Sequence, residues 1–468
     1  MMTDIVKQLA AALSADQVLT DDATRDSRRH DYWMRSWLAD HQDNKNPSPL
    51  CVVQPHTTQE VSDVVKLCRK TGTALVPFGL GSGVCGGVQT SADQVLLDMG
   101  KMTNMVSLDE TNLLVTFQAG RNGLEAENMV AEKGFTIGHW PQSIAVSSVG
   151  GWVATRASGQ FSTANGNIED IIYTIEAVLP DGTIINTGKG PRAAAGPDLR
   201  HILLGSEGTM GVITQVTFKI LRKAEKVAHT AYHIADIPKG FDFQREILQS
   251  GWRPPVMRQY DALETKRNFP DQAKDDVGML IMVHEGPTSR VDAELAAIQK
   301  IATEYSLEEA DTEAVSRWLD QRNHVPTWTE FLDNGIILDT VEISANWDRI
   351  GDVYDAAIAA IKEMPNMLNA SAHSSHGYAN GLNLYFTFAG RPEESADMAK
   401  VYDAGWKAIM EATAAQGGSV AHHHGIGRVR KNYLEHDLGA GGIGLLRALK
   451  AALDPDNLMN PGVLLPDA

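Results

Sequence analysis

Apolar positions along the chain follow three successive rhythms. Met1 to Thr20 spaces them at helical intervals around Asp4, Lys7 and Asp16, which predicts a short amphipathic helix. Residues 1–45 read as helical and polar. Arg25, Asp26, Arg28, Arg29, His30 and Asp31 form a dense mixed-charge stretch, expected to be a solvated face. Near Pro47 the pattern changes, and from 49 to 225 short β-rich runs alternate with helices and Gly-rich turns. Thr57 and Thr58 can cap a helix that carries Val61, Val64, Val65 and Cys68 on one face. Strands are expected at 74–78, 94–98, 113–118, 172–179 and 211–221, with Asp181-Gly182 turning a hairpin into 183–187. From about 226, strands near 227–233, 278–284, 339–344 and 382–389 alternate with helices near 288–305, 347–363 and 394–416. That texture predicts helices packed on an antiparallel sheet. The last segment carries Gly425 and Gly427, a helix at 441–453, and stops at Asp454-Pro455 and Pro461-Gly462. The expected divisions are 1–45, 46–225, 226–420 and 421–468.

Composition narrows the function. The 468 residues are 43% apolar and 21% charged, ample for large cores without disulfide or metal staples. The net charge of −18 argues against nucleic acid or an anionic membrane as main partner, since both need a cationic face. A small anionic substrate stays open, because one buried Arg binds it locally. Cys51, Cys68 and Cys85 are too few for a disulfide framework and suit a reducing cytoplasm. The N-terminus lacks the apolar core of a signal peptide, and no apolar run reaches bilayer length. A cytoplasmic protein without integral membrane contact is expected.

Three blocks are rich in small residues. The first, Pro77 to Gly87, follows an apolar strand. Alternate glycines there allow positive φ and close backbone approach, and successive N–H groups can form a nest for a diphosphate. A tight structural turn is the plainer alternative. A Rossmann fingerprint fits poorly, because no helix of the right length follows and no acidic residue ends a second strand about 20 residues on. The second block runs from Gly138-His139-Trp140-Pro141-Gln142-Ser143 through Ser147-Ser148-Val149-Gly150-Gly151-Trp152 to Ser158-Gly159 and Gly166-Asn167-Ile168-Glu169-Asp170. Such a backbone can lie flat against a large planar ligand. The third, Gly205-Ser206-Glu207-Gly208-Thr209-Met210-Gly211-Val212-Ile213, leads into a strand.

The spacing of these blocks, over about 49–221, resembles the FAD-binding domain of the vanillyl-alcohol-oxidase-like flavoproteins. The resemblance implies an α+β fold: a two-part, PCMH-type FAD-binding domain, then a substrate (cap) domain whose antiparallel sheet is covered by helices. It implies that Pro77, Gly79, Leu80, Gly81, Ser82, Gly83 and Val84 cradle the FAD diphosphate. Pro141, Ser143, Ser147, Ser148, Gly150, Gly151, Ser158 and Gly159 would line the flavin and ribityl chain. Glu207, Gly211, Val212 and Ile213 would close on the isoalloxazine and adenine side. Covalent members tether the flavin through His or Cys; Gly83 and Val84 offer neither, and Cys85, one step away, reads as packing. Non-covalent FAD is expected, and a homodimer is implied by the resemblance alone.

Two branches share this architecture. One oxidises D-2-hydroxy acids, and many of its members carry Gly-His-x-Gly-Asp-Gly-Asn-x-His and a later Glu-His-Gly that build a divalent metal site. Here the stretch is Ser375-His376-Gly377-Tyr378-Ala379-Asn380-Gly381-Leu382-Asn383, and the later motif is His422-His423-His424-Gly425. Asn383 and Ala379 cannot replace an imidazole and a carboxylate as strong ligands, so no metal is expected. The other branch, alkylglycerone-phosphate synthase, is more similar: Ser148 to Gly159, Gly166 to Asp170, Gly190-Pro191-Arg192 to Asp198, and Gly205 to Thr209. By that resemblance Arg258 would hold a substrate anion, Tyr385 would be the catalytic tyrosine, and His422, His423 and His424 would match the three-His segment.

Tyr385 and His424 are the expected proton-transfer pair. In an extended segment His422 and His424 share a face and His423 opposes them, so one or two of the three are expected at the flavin and the rest packed or bonded to backbone. A structural His cluster is the alternative. For Arg258 the alternative is a salt bridge to Asp261 or Glu264. Arg322 and Glu342 are further candidates in the second half. Two activities follow. One is a flavin-dependent oxidoreductase that dehydrogenates a hydroxyl of a small polar or anionic substrate, passing electrons to an unknown acceptor. The other is a redox-neutral ether-lipid synthase acting on an acyl ketone phosphate.

Overall fold

A computed structural model describes residues 4–467. The first unit is a four-stranded sheet in the order Val18–Leu19, Cys51–Val53, Val95–Asp98, Leu75–Phe78, its last three strands parallel. The helix Thr58–Thr71 crosses it. Thr57 and Glu60 form a capping box at its start, and Gly72, in the left-handed region, ends it. Its buried face, Val61, Val64, Val65 and Cys68, packs on Cys51, Val53, Leu75, Val95 and Leu97, as the spacing predicts. A five-stranded antiparallel sheet follows, ordered Met105–Asp109, Leu114–Gln118, Val212–Lys219, Ile172–Val178, Ile184–Asn186. The expected strand at 211–221 breaks after Lys219, and Leu221–Arg222 leaves to pair with Phe135–Thr136.

The second half is an eight-stranded antiparallel sheet. Four neighbouring strands run Val256–Tyr260, Met367–His373, Gly381–Gly390, Ile337–Asn346, the last at the sheet's edge. The helices Thr288–Glu304, Ile350–Lys362 and Met398–Ala415 fall where expected. The last helix is longer than its pattern: Leu434–Leu453 runs through a break at Gly439 (φ 64, ψ 170).

The mixed-charge stretch is not a solvated face. Arg29 and Asp31 are buried. Arg28 pairs with Asp98 at 2.7 Å, Arg29 pairs with Asp40, and Asp31 accepts the Val88 N–H at 3.2 Å. Arg28 and Arg29 find carboxylate partners outside the stretch and Asp31 finds backbone donors, so pairing rather than solvation satisfies the buried charges. Just beyond, Trp33, Met34 and Leu38 enter the core beneath the eight-stranded sheet.

The C-terminal segment closes on the first glycine block. Leu75 N–H donates to Leu458 O and Asn460 N–H to Leu75 O, both at 2.8 Å. Arg428 N–H donates to Cys85 O at 2.8 Å, and Asn460 Nδ2 donates to Gly87 O and Glu207 O. Gly427 sits at φ +54, where a Cβ would lie 2.0 Å from Cys85 O. Gly72, at φ +66, has open space around it. Gly72→Ala should therefore cost about 1 kcal/mol from backbone conformation alone. Gly427→Ala should cost at least about 3 kcal/mol. Urea denaturation of the two variants measures the difference, and equal losses would show that the Cys85 contact yields freely.

Candidate active site

The first glycine block leaves the parallel strand Leu75–Phe78 and lies against the second. A Cβ on Gly79 would meet Ser148 Oγ at 2.4 Å, and one on Gly83 would meet Asp31 Oδ2 at 3.1 Å. The N–H groups of Gly79, Leu80, Gly81, Ser82, Gly83 and Val84 have no protein acceptor among the described residues. Gly81 at φ +72 and Gly86 at φ +73 set the curvature. A row of unanswered N–H groups fits an anionic ligand and not a self-satisfied turn.

The other predicted cofactor residues divide. Pro77 lies within the strand Leu75–Phe78, and Pro141 O accepts the Ile144 N–H in the turn that holds Ser143. Ser147 Oγ accepts from Trp152 Nε1 at 2.8 Å, and Ser148 Oγ accepts the Gly151 N–H at the start of the helix Val149–Thr155. Gly150 and Gly211 serve close chain packing, with Cβ positions 2.6 Å from Ala119 and 2.8 Å from Val178 O; Val212 and Ile213 are buried in their strand. Gly159 packs on Trp140 N, and Ser158 Oγ donates to Asn167 Oδ1 at 2.6 Å. The Glu207 carboxylate is committed to the N–H groups of Ile426 and Gly427. Burial raises its pKa to about 7, and does the same for Asp31.

One transverse row of the eight-stranded sheet carries the chemistry. Tyr260 pairs in register with His373, His373 with Tyr385, and Tyr385 with Glu342. Cross-strand partners share a face. The Tyr260 and His373 rings therefore stack at 5.4 Å, and those of His373 and Tyr385 at 4.8 Å. Glu342 is buried, and its Oε1 accepts the backbone N–H groups of His422, His423 and His424 at 3.4, 2.9 and 2.7 Å. The buried Arg430 holds both carboxylate oxygens.

The histidine segment is therefore curled around a carboxylate, not extended, and the alternation expected for an extended chain fails. His423, not His424, hydrogen-bonds Tyr385 Oη through Nε2. His422 and His423 lie 2.6 Å apart through Nδ1, and His422 Nε2 is 2.7 Å from Tyr378 Oη. His424 Nδ1 is 3.5 Å from Glu342 Oε2, and its ring lies 5.6 Å from Tyr385. Burial keeps these imidazoles neutral: it lowers His422 to about 3 and His424 to about 4, and holds His423 and His376 well below the usual range. Burial also pushes the Tyr385 phenol upward. The ligand atoms of His376, His422 and His423 lie within 4.8 Å of one another. Hydrogen bonds engage both nitrogens of His422 and of His423, and Asn383 Oδ1 accepts the N–H groups of Ser375 and His376.

Arg258 lies on the row's face, two residues before Tyr260, and donates Nε to Tyr260 Oη at 2.9 Å. The alternative salt bridge is not formed: Glu264 is taken by Arg267, and Asp261 accepts the N–H groups of Glu264 and Ala372. Arg322 stacks on Trp140 at 4.6 Å and donates to Gln160 Oε1 at 2.9 Å. Arg258 and Arg322 both face the Trp318 ring, at 5.4 and 5.9 Å, and neither has a carboxylate in pairing range among the described residues. Tyr260, His373, Tyr378 and Arg430 were not singled out for roles. Strand alternation from Arg258 points to Tyr260, whereas nothing local marks Arg430.

A loop of unanswered N–H groups, in a chain that also couples a tyrosine to neutral imidazoles, defines a nucleotide-cofactor enzyme. The chain belongs to the FAD-linked oxidase family: an FAD binding domain matches residues 49–188, and the C-terminal domain of FAD linked oxidases matches 223–464. It is 35% identical to an uncharacterised FAD-linked oxidoreductase, YgcU, of Escherichia coli, over 99% of this chain and 98% of that one. It is 28% identical to alkyldihydroxyacetonephosphate synthase of Dictyostelium discoideum over 99% of this chain and 81% of that one. It is also 28% identical to the glycolate oxidase subunit GlcD of Bacillus subtilis, over 88% of each. A solved alkyldihydroxyacetonephosphate synthase superposes with a TM-score of 0.82 at 25% identity, over 98% of this chain and 86% of that one. p-Cresol methylhydroxylase superposes at 0.76 and 17% identity, over 98% and 95%, which shows the fold. The PCMH-type, α+β architecture read from the three blocks is borne out, and the cofactor is FAD. The unanswered N–H row at 79–84 suits its diphosphate. No helix among the described residues is long and apolar enough to cross a membrane.

Two expectations follow. Glu342→Gln removes the countercharge of a buried Arg and should lower stability by about 3 kcal/mol; a thermal melt that moves by less than about 0.5 kcal/mol would show that the pair is no support. The second concerns pH. His139, His373, His376, His422, His423 and His424 are all held below their usual 6.5. The unfolded chain takes up protons there as pH falls below 6.5 and the native state does not, so stability present above 6.5 is lost toward pH 4. Asp31 and Glu207, raised to about 7, and Asp261, raised to about 6, act oppositely, as do Glu127, Glu285, Asp339 and Asp403, also raised; His229 and His233 join the lowered histidines, which remain the larger group. The melting temperature should fall from pH 7 to pH 5, less steeply in His139→Phe. A flat profile would mean that these rings protonate in place.

Proposed function

We propose that this protein is an FAD-dependent oxidoreductase that dehydrogenates a hydroxyl of a small polar or anionic substrate, a 2-hydroxy acid or an alcohol. The observation that carries this reading is Arg258, half-buried without a carboxylate beside the Tyr385–His423 couple. An unpaired guanidinium near an aromatic wall favours a bidentate anion. Arg322 also lies over the Trp318 ring, which places a second cation near the same aromatic wall. With the anion held at Arg258, Tyr385 Oη is the group able to take the hydroxyl proton, because neutral His423 accepts the tyrosine's own. His424 flanks the tyrosine ring. FAD supplies the two-electron acceptor when bound. Non-covalent attachment is supported by Cys85, whose thiol is buried and pushed up to about 12, far from a reactive thiolate.

A second reading is a redox-neutral alkyl transfer on an acyl ketone phosphate, favoured by the likeness to the Dictyostelium synthase over nearly the whole chain. Arg258 would then hold the phosphate. The ionic and aromatic surroundings of Arg258 and Arg322 favour the smaller, polar substrate.

The test is anaerobic titration of the yellow protein with 2-hydroxy acids, polar alcohols and acyl ketone phosphates. Bleaching of the flavin band by a hydroxy compound is the expected result. A spectral change only with the acyl ketone phosphate, with fatty acid released, would transfer the assignment to the second reading. Tyr385→Phe should keep FAD and lose at least about 100-fold in bleaching rate. Arg258→Ala should weaken substrate binding by about 2–3 kcal/mol and leave FAD binding alone. Loss of FAD in Arg258→Ala would make that residue structural.

A further inference from the structure

Tyr385 is half-buried, and burial pushes its phenol upward, so a phenolate there would be costly unless its proton had somewhere to go. A continuous line of hydrogen bonds leads away from it. Tyr385 Oη meets His423 Nε2, His423 Nδ1 lies 2.6 Å from His422 Nδ1, His422 Nε2 lies 2.7 Å from Tyr378 Oη, and Tyr378 Oη donates to Asn167 Oδ1 at 3.2 Å. Tyr378 and Asn167 are both half-buried, so the line ends at the edge of the protein.

We infer that Tyr385, His423, His422 and Tyr378 form a one-way proton relay, with its polarity set by the Asn167 side chain. The inference rests on the reading that Tyr385 takes the substrate proton. The polarity follows from counting. A neutral imidazole has one donor and one acceptor nitrogen. The Asn167 amide oxygen can only accept, and it also receives Ser158 Oγ at 2.6 Å. Tyr378 must therefore donate to it, and the Tyr378 oxygen must accept from His422 Nε2–H. That leaves His422 Nδ1 bare to accept His423 Nδ1–H. His423 Nε2 is then bare and accepts the Tyr385 hydroxyl. The lone pairs of Tyr385 Oη are left for an incoming proton.

In transfer, the substrate O–H bond breaks and its proton joins Tyr385 Oη as the tyrosine's own proton passes to His423 Nε2. His423 gives its Nδ1 proton to His422 Nδ1, and His422 gives its Nε2 proton to Tyr378. Tyr378 releases its proton to water at the edge. One proton enters and one leaves. Both imidazoles end neutral, in the opposite tautomer, and none of these groups is oxidised or reduced.

Charges along the line favour this direction. The Arg258 cation lies beside the inner tyrosine, while the carboxylates of Glu169 and Asp170 lie near Tyr378 at the outer end. Arg156, whose charge also reaches His422, is paired with Glu169 at 3.1 Å. Burial denies both imidazoles a stable charged form, so they pass a proton without storing it.

The test uses the FAD-loaded protein with ring-¹⁵N histidine. At pH 7, NMR should show His423 protonated on Nδ1 and His422 on Nε2, with ¹⁵N–¹⁵N coupling across their hydrogen bond. Two Nε2–H tautomers, or a charged ring, would overturn the relay. Asn167→Ala should scramble the two tautomers while FAD stays bound; unchanged tautomers would overturn its role in setting polarity. Tyr378→Phe should slow flavin bleaching by the reactive hydroxy compound by about 10–100-fold, and the rate should become less sensitive to D₂O. A wild-type rate would overturn the outward path. If no hydroxy compound bleaches the flavin, the reading of the reaction fails, and the tautomers still decide the relay.

Discussion

The Glu342–Arg430 pair holds the site in shape. Both side chains are buried, and neither charge would be tolerated there alone. The carboxylate serves more than its cation: its Oε1 also gathers three consecutive backbone N–H groups, which turns His422, His423 and His424 into a tight curl. Without that anion the segment would have three unanswered donors in a buried place. Because Glu342 is the register partner of Tyr385, the group that shapes the curl sits one strand from the phenol the curl must meet. A single cross-strand pair thus fixes both halves of the Tyr–His couple.

The sheet supplies the rest of the row by arithmetic. Tyr260, His373, Tyr385 and Glu342 come from four neighbouring strands, and antiparallel register alone aligns them. Stacking of His373 between two tyrosines limits their rotation, and Arg258 is oriented by its bond to Tyr260. The Arg258 guanidinium and the Tyr385 phenol are thereby placed by a rigid element rather than by a loop.

Much of this was legible in the sequence. The Thr57 cap, the glycine blocks and the long alternating strands carry local signals, and they lie close to where those signals put them. Arg258, Tyr385 and the three histidines were named, and the structure brings them together. The partnership among the histidines was misread, because alternation assumes an extended backbone and the curl exists only through Glu342, 80 residues earlier. Arg430 was invisible for a similar reason: its neighbours Arg428 and Lys431 make it look like one more surface cation. The charged stretch at 25–31 misled in the same way, since a local count of charges does not reveal that Arg28 meets Asp98 on a distant strand and Arg29 meets Asp40 on the next helix.

The latch of the C-terminal segment on the first glycine block has a consequence for how the chain is born. The side chain of Asn460 donates to the carbonyl of Gly87, 373 residues earlier. Closing so large a loop is entropically slow, and contacts of such separation form late. During synthesis the strand and loop at 75–87 emerge early but stay unfinished until Asn460 has left the ribosome. The strand and loop at 75–87 are therefore among the last parts of the fold to mature, and a nascent chain released before Asn460 would fold around an open, unclasped loop.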